Sequence, residues 1–267
     1  MSHRTRPSSR SDRSRPIKRP PPLAANGFSL IELMITIAIT LFLMAGLIGL
    51  VIGMQRSFGN QNQLTSLQDD QRFLLTVLGT TIHNAGFFSD PVNNTLLTAL
   101  PASSGATADG SGFAAGQFIS GTTASGSGSG SDTLNLRYQT ASGDGIMSCL
   151  GDTNTSGAPV VWTNSFAINA ASQLTCAVGQ NGAATGTAAV LTDNVAAMRV
   201  LYGVDTAGSG SADTYLDAAA VSASGAWSKV YSVQLVLTFH DSVNSTTTTQ
   251  VNLPKTLRHT FYLMNQP

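Results

Sequence analysis

Glu32 is the one charged side chain in a long apolar run, which makes it the first candidate for chemistry in this sequence. The run extends from Phe28 to Met54 and reads FSLIELMITIAITLFLMAGLIGLVIGM. A carboxylate inside a bilayer costs on the order of 3 kcal/mol on insertion scales, so a charged group in such a segment is normally kept for a function. An unpaired buried charge is expensive and a paired one much less so. Glu32 is therefore suited to attracting a cation in a membrane.

A strongly basic segment precedes this run. Residues 1–27 hold seven Lys and Arg and one acid, a balance of 7 − 1 = +6, while the rest of the chain holds 14 − 7 = 7 bases and 14 − 1 = 13 acids. Basic residues stay on the cytoplasmic side of an inserting segment, so we expect the N-terminus inside and everything after Met54 across the membrane. The acidic exported part argues against a nucleic-acid partner, which needs clustered Lys and Arg.

The junction of these two segments carries a specific pattern. Gly27-Phe28-Ser29-Leu30-Ile31-Glu32 resembles the class III signal of type IV prepilins and related pseudopilins: a basic leader that ends in Gly, then Phe, with Glu as the fifth residue beyond the cut. The resemblance implies that a membrane aspartic prepilin peptidase cleaves after Gly27 and also methylates the new Phe28 amine. It further implies that the Glu32 charge acts in assembly.

Two other interpretations of residues 1–54 compete with the prepilin interpretation. A secretory signal has an apolar core of about 7–15 residues and a small-residue cleavage site after it, whereas this run is longer and no clear A-x-A site follows. A plain anchor explains the length, since about 20 apolar residues span a bilayer, but it gives no reason for Gly27 or Glu32. The leader is longer and richer in Arg, Ser and Pro than many prepilin leaders.

An amphipathic helix should continue the apolar run. Positions on one helical face recur at spacings of three and four; they are Leu64, Leu67, Gln71, Leu74, Leu78 and Ile82, and all but Gln71 are apolar. Gly86 and Pro91 end the pattern. Arg72 followed by Ile82-His83-Asn84-Ala85-Gly86-Phe87 resembles the end of this helix in PilW-like minor pilins, with His83 in place of the usual Arg.

The rest of the chain changes from a loop-rich composition to strand periodicity. Gly, Ser, Thr and Ala dominate 89–131, and Gly121–Ser131 predicts a flexible surface loop. Beyond Asp132 the apolar residues alternate, which predicts an antiparallel sheet with one buried face; the runs are 133–138, 195–204, 230–239 and, more loosely, 251–263. The stretches 132–138, 193–205 and 215–218, with Trp227, resemble PilW-like minor pilins.

These observations predict an α+β, pilin-like fold, in which a long N-terminal helix, first membrane-spanning and then amphipathic, packs on a C-terminal antiparallel β-sheet. We divide the chain into a cleaved basic leader, a transmembrane helix, an amphipathic continuation of that helix, a variable Gly/Ser-rich loop region and a β-sheet domain. The boundaries of these five segments are 1–27, 28–54, 55–88, 89–131 and 132–267.

Cys149 and Cys176 both lie on the exported side, where disulfides persist. An even cysteine count in an exported domain favours one bridge, and two free buried thiols are the alternative. The four His residues lack metal-ligand spacing, and no nucleophile-elbow motif occurs. The loop from Asp205 to Asp213 lacks most calcium-ligand positions, so a hairpin loop is the favoured interpretation. We expect no enzymatic activity, metal or cofactor.

The resemblance implies the function of a minor pilin of a type IV pilus that enters a priming or tip complex and initiates pilus assembly. The alternative is a minor pseudopilin of a type II secretion system, and a membrane-anchored exported enzyme is a third class without a site. The implied partners are other minor and major pilins, prepilin peptidase, the inner-membrane assembly platform and a tip adhesin. The implied location is the inner membrane with a periplasmic C-terminal domain, and then the fibre at the cell surface.

Overall fold

A computed structural model describes residues 27–105, 107, 109–124, 130–240 and 256–266. Three predicted features lie outside these residues: the basic leader up to position 26, the centre of the Gly/Ser-rich loop at 125–129, and the beginning of the last alternating run at 251–255. The described residues divide into two units, with the division between Ser57 and Phe58. The long helix α1, Leu30–Asn84, contributes to both units, which are described one at a time.

The first unit is the apolar part of α1. Every described residue from Gly27 to Gly59 is exposed. The segment Leu30–Gly59 is long and apolar enough to cross a bilayer by its length and composition. Leucine, isoleucine and methionine favour or tolerate the helix, and the helix satisfies its own backbone hydrogen bonds, which an apolar environment demands.

The second unit begins with the remainder of α1, whose apolar stripe faces a hydrophobic core. Leu74, Leu78 and Ile82 are fully buried, and their spacing of four places them on one side of the helix. Ala85 continues this side at the helix end and is also buried. The stripe packs in one core with residues of both sheets, among them Tyr138, Trp162, Phe166, Met198, Tyr202 and Leu235.

The strands form two antiparallel sheets. The first has the order β1-β2-β3-β4-β5, with β6 also paired to β4; the strands are β1 Ile119–Thr122, β2 Thr133–Thr140, β3 Val160–Ile168, β4 Leu174–Gln180, β5 Ala183–Ala184 and β6 Ala189–Thr192. The second has the order β10-β9-β7-β8; the strands are β7 Val195–Val204, β8 Thr214–Leu216, β9 Val230–Phe239 and β10 Thr256–Tyr262. Short helices α2 Leu96–Ala99 and α3 Ala218–Ser224 and a 3-10 turn Trp227–Lys229 complete the elements.

The α+β class with a long N-terminal helix followed by antiparallel strands is confirmed, but the strands form two sheets where the sequence predicted one. One connection between the sheets is made by Asp132, just before β2. The Asp132 N–H donates to the Met198 carbonyl at 3.0 Å, and its carboxylate accepts from the Val200 N–H at 2.8 Å. A buried side chain thus holds β2 against β7 without a continuous ladder between them.

The stretch 89–131, predicted as a variable Gly/Ser-rich loop region, is not wholly at the surface, because much of it packs into the fold. It contains α2 and β1, and Leu100, Phe113 and Phe118 are at most 3% exposed. A loop buried in this way needs partners for its backbone polar groups. Those partners come from β2 and are described below.

Candidate functional site

The predicted cleavage motif lies immediately before α1. Residues Gly27 to Ser29 are non-helical and exposed, and α1 begins at Leu30. The Ser29 carbonyl accepts hydrogen bonds from the Glu32 N–H at 3.0 Å and from the Leu33 N–H at 3.2 Å, which closes the first turn. Glu32 therefore lies in the first helical turn, where the helix dipole favours a negative charge.

The apolar side chains next to Glu32 in sequence are largely exposed. Phe28 is 82% exposed, and Leu30 and Ile31 are also largely exposed. The hydroxyls of Thr36 and Thr40 are bonded within the helix, to the carbonyls of residues 33 and 36 at 2.9 and 2.7 Å. Glu32 has no ion-pair partner among the described residues. A carboxylate in an exposed apolar segment can gain most by pairing with a cation from another molecule.

Gly86, just beyond the C-terminal end of α1, ends this helix. Gly86 has a φ of 79°, a left-handed conformation that ends helices and favours glycine. Its N–H donates to the Arg137 carbonyl at 3.0 Å. A Cβ at this position would lie 3.1 Å from the Asn265 carbonyl oxygen and from Phe118 Cγ. Glycine at position 86 is therefore favoured by both backbone conformation and close packing.

The C-terminal tail completes this helix end. The Asn265 side-chain amide donates to the His83 carbonyl at 2.9 Å and to the Ala85 carbonyl at 3.3 Å. The last carbonyls of a helix lack intrahelical donors, so Asn265 acts as a cap supplied from 180 residues further along the chain. The ring of His83, which replaces the usual Arg, makes an edge contact with Phe261 at 6.4 Å between centroids.

Arg137 is a buried arginine whose structural role no motif in the sequence predicts. It is 1% exposed, and its guanidinium donates to four backbone carbonyls of the 89–131 stretch: those of Leu100, Pro101, Ala114 and Gln117. Its Cζ lies 4.7 Å from the centre of the Phe113 ring. No carboxylate pairs with it in the described parts of the chain. Burial lowers the pKa of Arg137 to about 10, and no local sequence signal marks this role.

The stretches that resemble PilW-like minor pilins are brought together in the second unit. Asp132 is the first residue of the stretch 132–138, and its carboxylate accepts from the Val200 N–H of β7, which forms most of the stretch 193–205. Trp227 packs edge-on against the buried Tyr202 with 4.9 Å between ring centroids. Asp217 caps α3 by accepting from the Ala220 N–H at 2.8 Å. Asp132 and Trp227 connect elements that are separate in sequence, whereas Asp217 stabilises the start of its own helix.

Cys149 and Cys176 form a disulfide with 6.5 Å between their Cα atoms, so the alternative of two free thiols is wrong. The bridge ties the loop after β2 to β4. The same loop is held by two further bonds: the Cys149 N–H donates to the Asn164 side chain at 2.7 Å, and the Tyr138 hydroxyl donates to the Met147 carbonyl at 2.5 Å.

The loop from Asp205 to Asp213 uses its carboxylates for its own backbone. Asp205 accepts from the N–H groups of residues 208, 209 and 210 at 2.7–3.0 Å, and Asp213 accepts from those of residues 206 and 207. Hydrogen bonds from backbone N–H groups and, for Asp213, chiefly from the Thr206 side chain lower the pKa values of both carboxyls. The described residues contain no cluster of three or more His, Cys, Asp or Glu that could hold a metal, so the arrangement supports a hairpin loop.

Comparisons with known proteins give two family matches. The type IV pilus-assembly protein W family matches residues 160–265, and the prokaryotic N-terminal methylation motif matches residues 23–48. No curated protein matches the chain significantly. The first match covers β3 to β10, and the second covers the junction of leader and helix around Gly27, Phe28 and Glu32. The matching families are structural families of the pilus.

Proposed function

The chain is a PilW-like type IV pilus pilin, and from this premise we propose that it is a minor pilin that prepilin peptidase processes and that initiates pilus assembly within a priming or tip complex. The observation that supports this proposal most is Glu32. Its carboxylate has no ion-pair partner among the described residues, and it lies in the first turn of a helix whose side chains are exposed as far as Gly59. Such a surface needs other helices or lipid around it.

Processing is the first step. The leader stays in the cytoplasm because it is basic, and the peptidase hydrolyses the Gly27–Phe28 amide. Two features support this site: the exposed, non-helical conformation of residues 27–29 and the absence of a side chain at Gly27, which leaves space in the peptidase. Hydrolysis creates a free amine on Phe28, which the resemblance implies is then methylated and which carries a positive charge.

Assembly is the second step. In the membrane the Glu32 carboxylate attracts the cationic Phe28 amine of a neighbouring subunit, because pairing removes much of the cost of an isolated charge in lipid. The helices then pack in the core of the complex, and the β-sheet unit faces outward. The subunit is a single-pass inner-membrane protein with a periplasmic C-terminal part before assembly. Afterwards it belongs to the fibre or its tip, in contact with other minor and major pilins, the assembly platform and a tip adhesin.

Charge substitutions at Glu32 test the assembly step. Glu32→Gln keeps the shape and removes the charge, so the variant should insert, be processed and remain stable, yet fail to co-purify with the other minor pilins. Glu32→Asp keeps the charge and serves as the matched control that should retain association. The measurements are co-purification from membranes and the number of surface pili. Wild-type association of Glu32→Gln would remove the charge mechanism and leave the fold assignment intact.

Gly27→Val tests the processing step separately. A side chain at this position should block cleavage, so uncleaved precursor should accumulate in the inner membrane. Intact-mass analysis of the wild-type protein should give a mature chain that begins with methylated Phe28. A different N-terminus would contradict the class III assignment. A pilus role also predicts that loss of the protein reduces surface pili, whereas the pseudopilin alternative predicts reduced protein secretion.

A further inference from the structure

β10 is an edge strand with backbone groups that face away from its sheet. Among the described strands it pairs with β9 alone. The Leu263 N–H donates to the Tyr231 carbonyl, and in an antiparallel pair such bonds alternate along the strand. The backbone N–H and C=O groups of Arg258, Thr260 and Tyr262 therefore point outward. Unpaired groups in this arrangement are a template for an additional strand.

The other sheet edges are much shorter. β8 has three residues, β1 and β6 have four each, and β5 has two, whereas β10 has seven. Native proteins commonly keep edge strands short or cover them so that other chains cannot pair with them. Among the described edge strands the long β10 is the exception, and its length matches that of an ordinary strand.

A groove follows this edge on the side of α1. Its volume is about 460 Å³, and its lining includes Leu75, Gly79 and His83 of α1 and His259 and Phe261 of β10. Gly79 keeps helix and strand close, because a Cβ there would lie 3.2 Å from the Phe261 ring. Side chains of a strand added to β10 would alternate between two faces. One set would enter this groove, which accepts small apolar groups.

The second set would lie on the outer face of the sheet beside Arg258. The register places Val236 between Arg258 and Arg199. Arg199 is paired with Asp132 at 3.1 Å, whereas exposed Arg258 has no carboxylate at ion-pair distance in the described part of the chain. Asp217 lines a surface recess together with Arg199 and Arg258, but its carboxylate already caps α3 by accepting from the Ala220 N–H. Arg258 is thus the available charge on this face.

The charge of the edge is opposite to that of the exported part as a whole. β10 contains Arg258 and His259 and no acid, and the lining of the groove contains no acid either. The chain after the leader has 14 − 7 = 7 bases against 14 − 1 = 13 acids. Opposite charges directly across neighbouring strands stabilise pairing, and like charges oppose it. An incoming strand that carries carboxylates is therefore favoured.

We propose that the outer edge of β10 binds an extended acidic segment of another pilus subunit, which joins the four-stranded sheet as a fifth strand. The segment bonds to the backbone of Arg258, Thr260 and Tyr262. It places carboxylates beside Arg258 and small apolar side chains in the groove over Gly79. This mode of recognition takes affinity from the main chain and selectivity from alternate side chains. The inference rests on the proposed function only for the source of the segment.

The test uses the processed full-length chain in detergent micelles with two blocked peptides of about seven residues, the length of a typical strand. One alternates Val and Asp, and the other alternates Val and Lys. The acidic peptide should bind, measured by fluorescence anisotropy of a labelled peptide. Residue-resolved hydrogen exchange should then show new protection at the amides of Arg258, Thr260 and Tyr262. The amides of His259 and Phe261, already bonded to β9, should not change.

Paired variants separate backbone pairing from simple adhesion. Thr260→Pro removes an outward N–H and leaves the bonds to β9, and edge strands tolerate proline in that orientation. Thr260→Val loses the same hydroxyl, which accepts from Gln234 at 3.3 Å, but keeps the N–H. Binding should weaken about tenfold or more in the proline variant and persist in the valine variant. Arg258→Glu should reverse the preference, so that the basic peptide binds better.

Three results would overturn the proposal. The first is protection of the amides of Arg258, Thr260 and Tyr262 in the free protein, which would mean that the chain covers its own edge. The second is equal binding by the proline and valine variants. The third is equal or no binding of the two peptides to the wild-type chain. None of these results bears on the Glu32 test, so failure of this inference and failure of the proposed function are distinguishable.

Discussion

Arg137 should contribute more to stability than Arg199, although only Arg199 has an ion pair. Arg137 is 1% exposed and donates to four carbonyls of the 89–131 stretch. The side chain of Arg199 is 41% exposed and pairs with Asp132 at 3.1 Å. We predict that Arg137→Met detaches the 89–131 stretch from β2 and lowers the free energy of unfolding, whereas Arg199→Met changes that free energy little.

The size of the effect follows from the buried bond to the Leu100 carbonyl at 3.1 Å. A hydrogen bond to a charged group contributes about 1.5–3 kcal/mol, and a buried carbonyl left without a donor costs about 1–3 kcal/mol. Removing a buried cation offsets part of this loss. The other three carbonyls are partly accessible, so water can replace the guanidinium there. We expect Arg137→Met to lower the free energy of unfolding by about 2–4 kcal/mol.

The control should behave differently for a physical reason. An exposed ion pair contributes about 0.2–1 kcal/mol, and in Arg199→Met the Asp132 carboxylate keeps its bonds to the N–H groups of Ala124 and Val200. Urea unfolding measures both variants. Hydrogen exchange adds a local readout, because the amides of Phe113 and Gly116 should lose protection in Arg137→Met alone. Equal stability losses in the two variants, or unchanged exchange at those amides, would refute the reasoning.

Three further predictions concern the bridge, the helix end and acid stability. Replacing Cys149 and Cys176 by Ser should lower the free energy of unfolding by about 3.5 kcal/mol on the chain-entropy model for a separation of 27 residues; an unchanged urea midpoint would contradict this. Gly86→Ala should cost more than Gly105→Ala in urea unfolding, because both positions have positive φ and only Gly86 has close neighbours; equal costs would contradict the packing argument. Partial burial raises the pKa of Asp109, but hydrogen bonds from Ser111, Asn135 and Thr133 outweigh it and lower the pKa to about 2, against an ordinary value of 3.8. The pKa of Asp109 is lower in the folded state, so its stabilisation is present above about pH 4 and is lost as the pH falls towards 2. In Asp109→Asn, the free energy of unfolding should therefore decrease less between about pH 4 and pH 2 than in the wild-type protein. An unchanged decrease would count against this role.

Local sequence patterns predicted the long helix and the antiparallel strands, because the periodicity of a helix or a strand depends on residues that are neighbours in sequence. The spacing of Leu74, Leu78 and Ile82 marks the face of α1 that is buried, and alternation marks β7 and β9 as antiparallel strands. The number of sheets was not predictable in this way. It depends on contacts between distant segments, such as that of the Asp132 carboxylate with the Val200 N–H of β7, 68 positions further along the sequence. A polar residue before a strand carries no local sign of such a contact.

The composition of 89–131 did not predict that part of this stretch is buried, for a similar reason. Gly, Ser, Thr and Ala are typical of exposed loops, and nothing near Phe113 or Phe118 in sequence indicates burial. These aromatic residues are buried because Arg137, on a strand further along the chain, supplies donors for the loop's carbonyls. Burial of a loop depends on distant partners for its backbone, and only the folded chain identifies them.

The sequence by itself determined the N-terminal features. A basic leader, Gly27-Phe28, Glu32 and a long apolar run are contiguous, and membrane insertion responds to charge and hydropathy along a short stretch of chain. Tertiary structure decided which arginine is buried and which strand is left at an edge. The exposed edge of β10 is a property of strand order. Strand order depends on packing between distant segments, and the alternating pattern of a single strand contains no information about it.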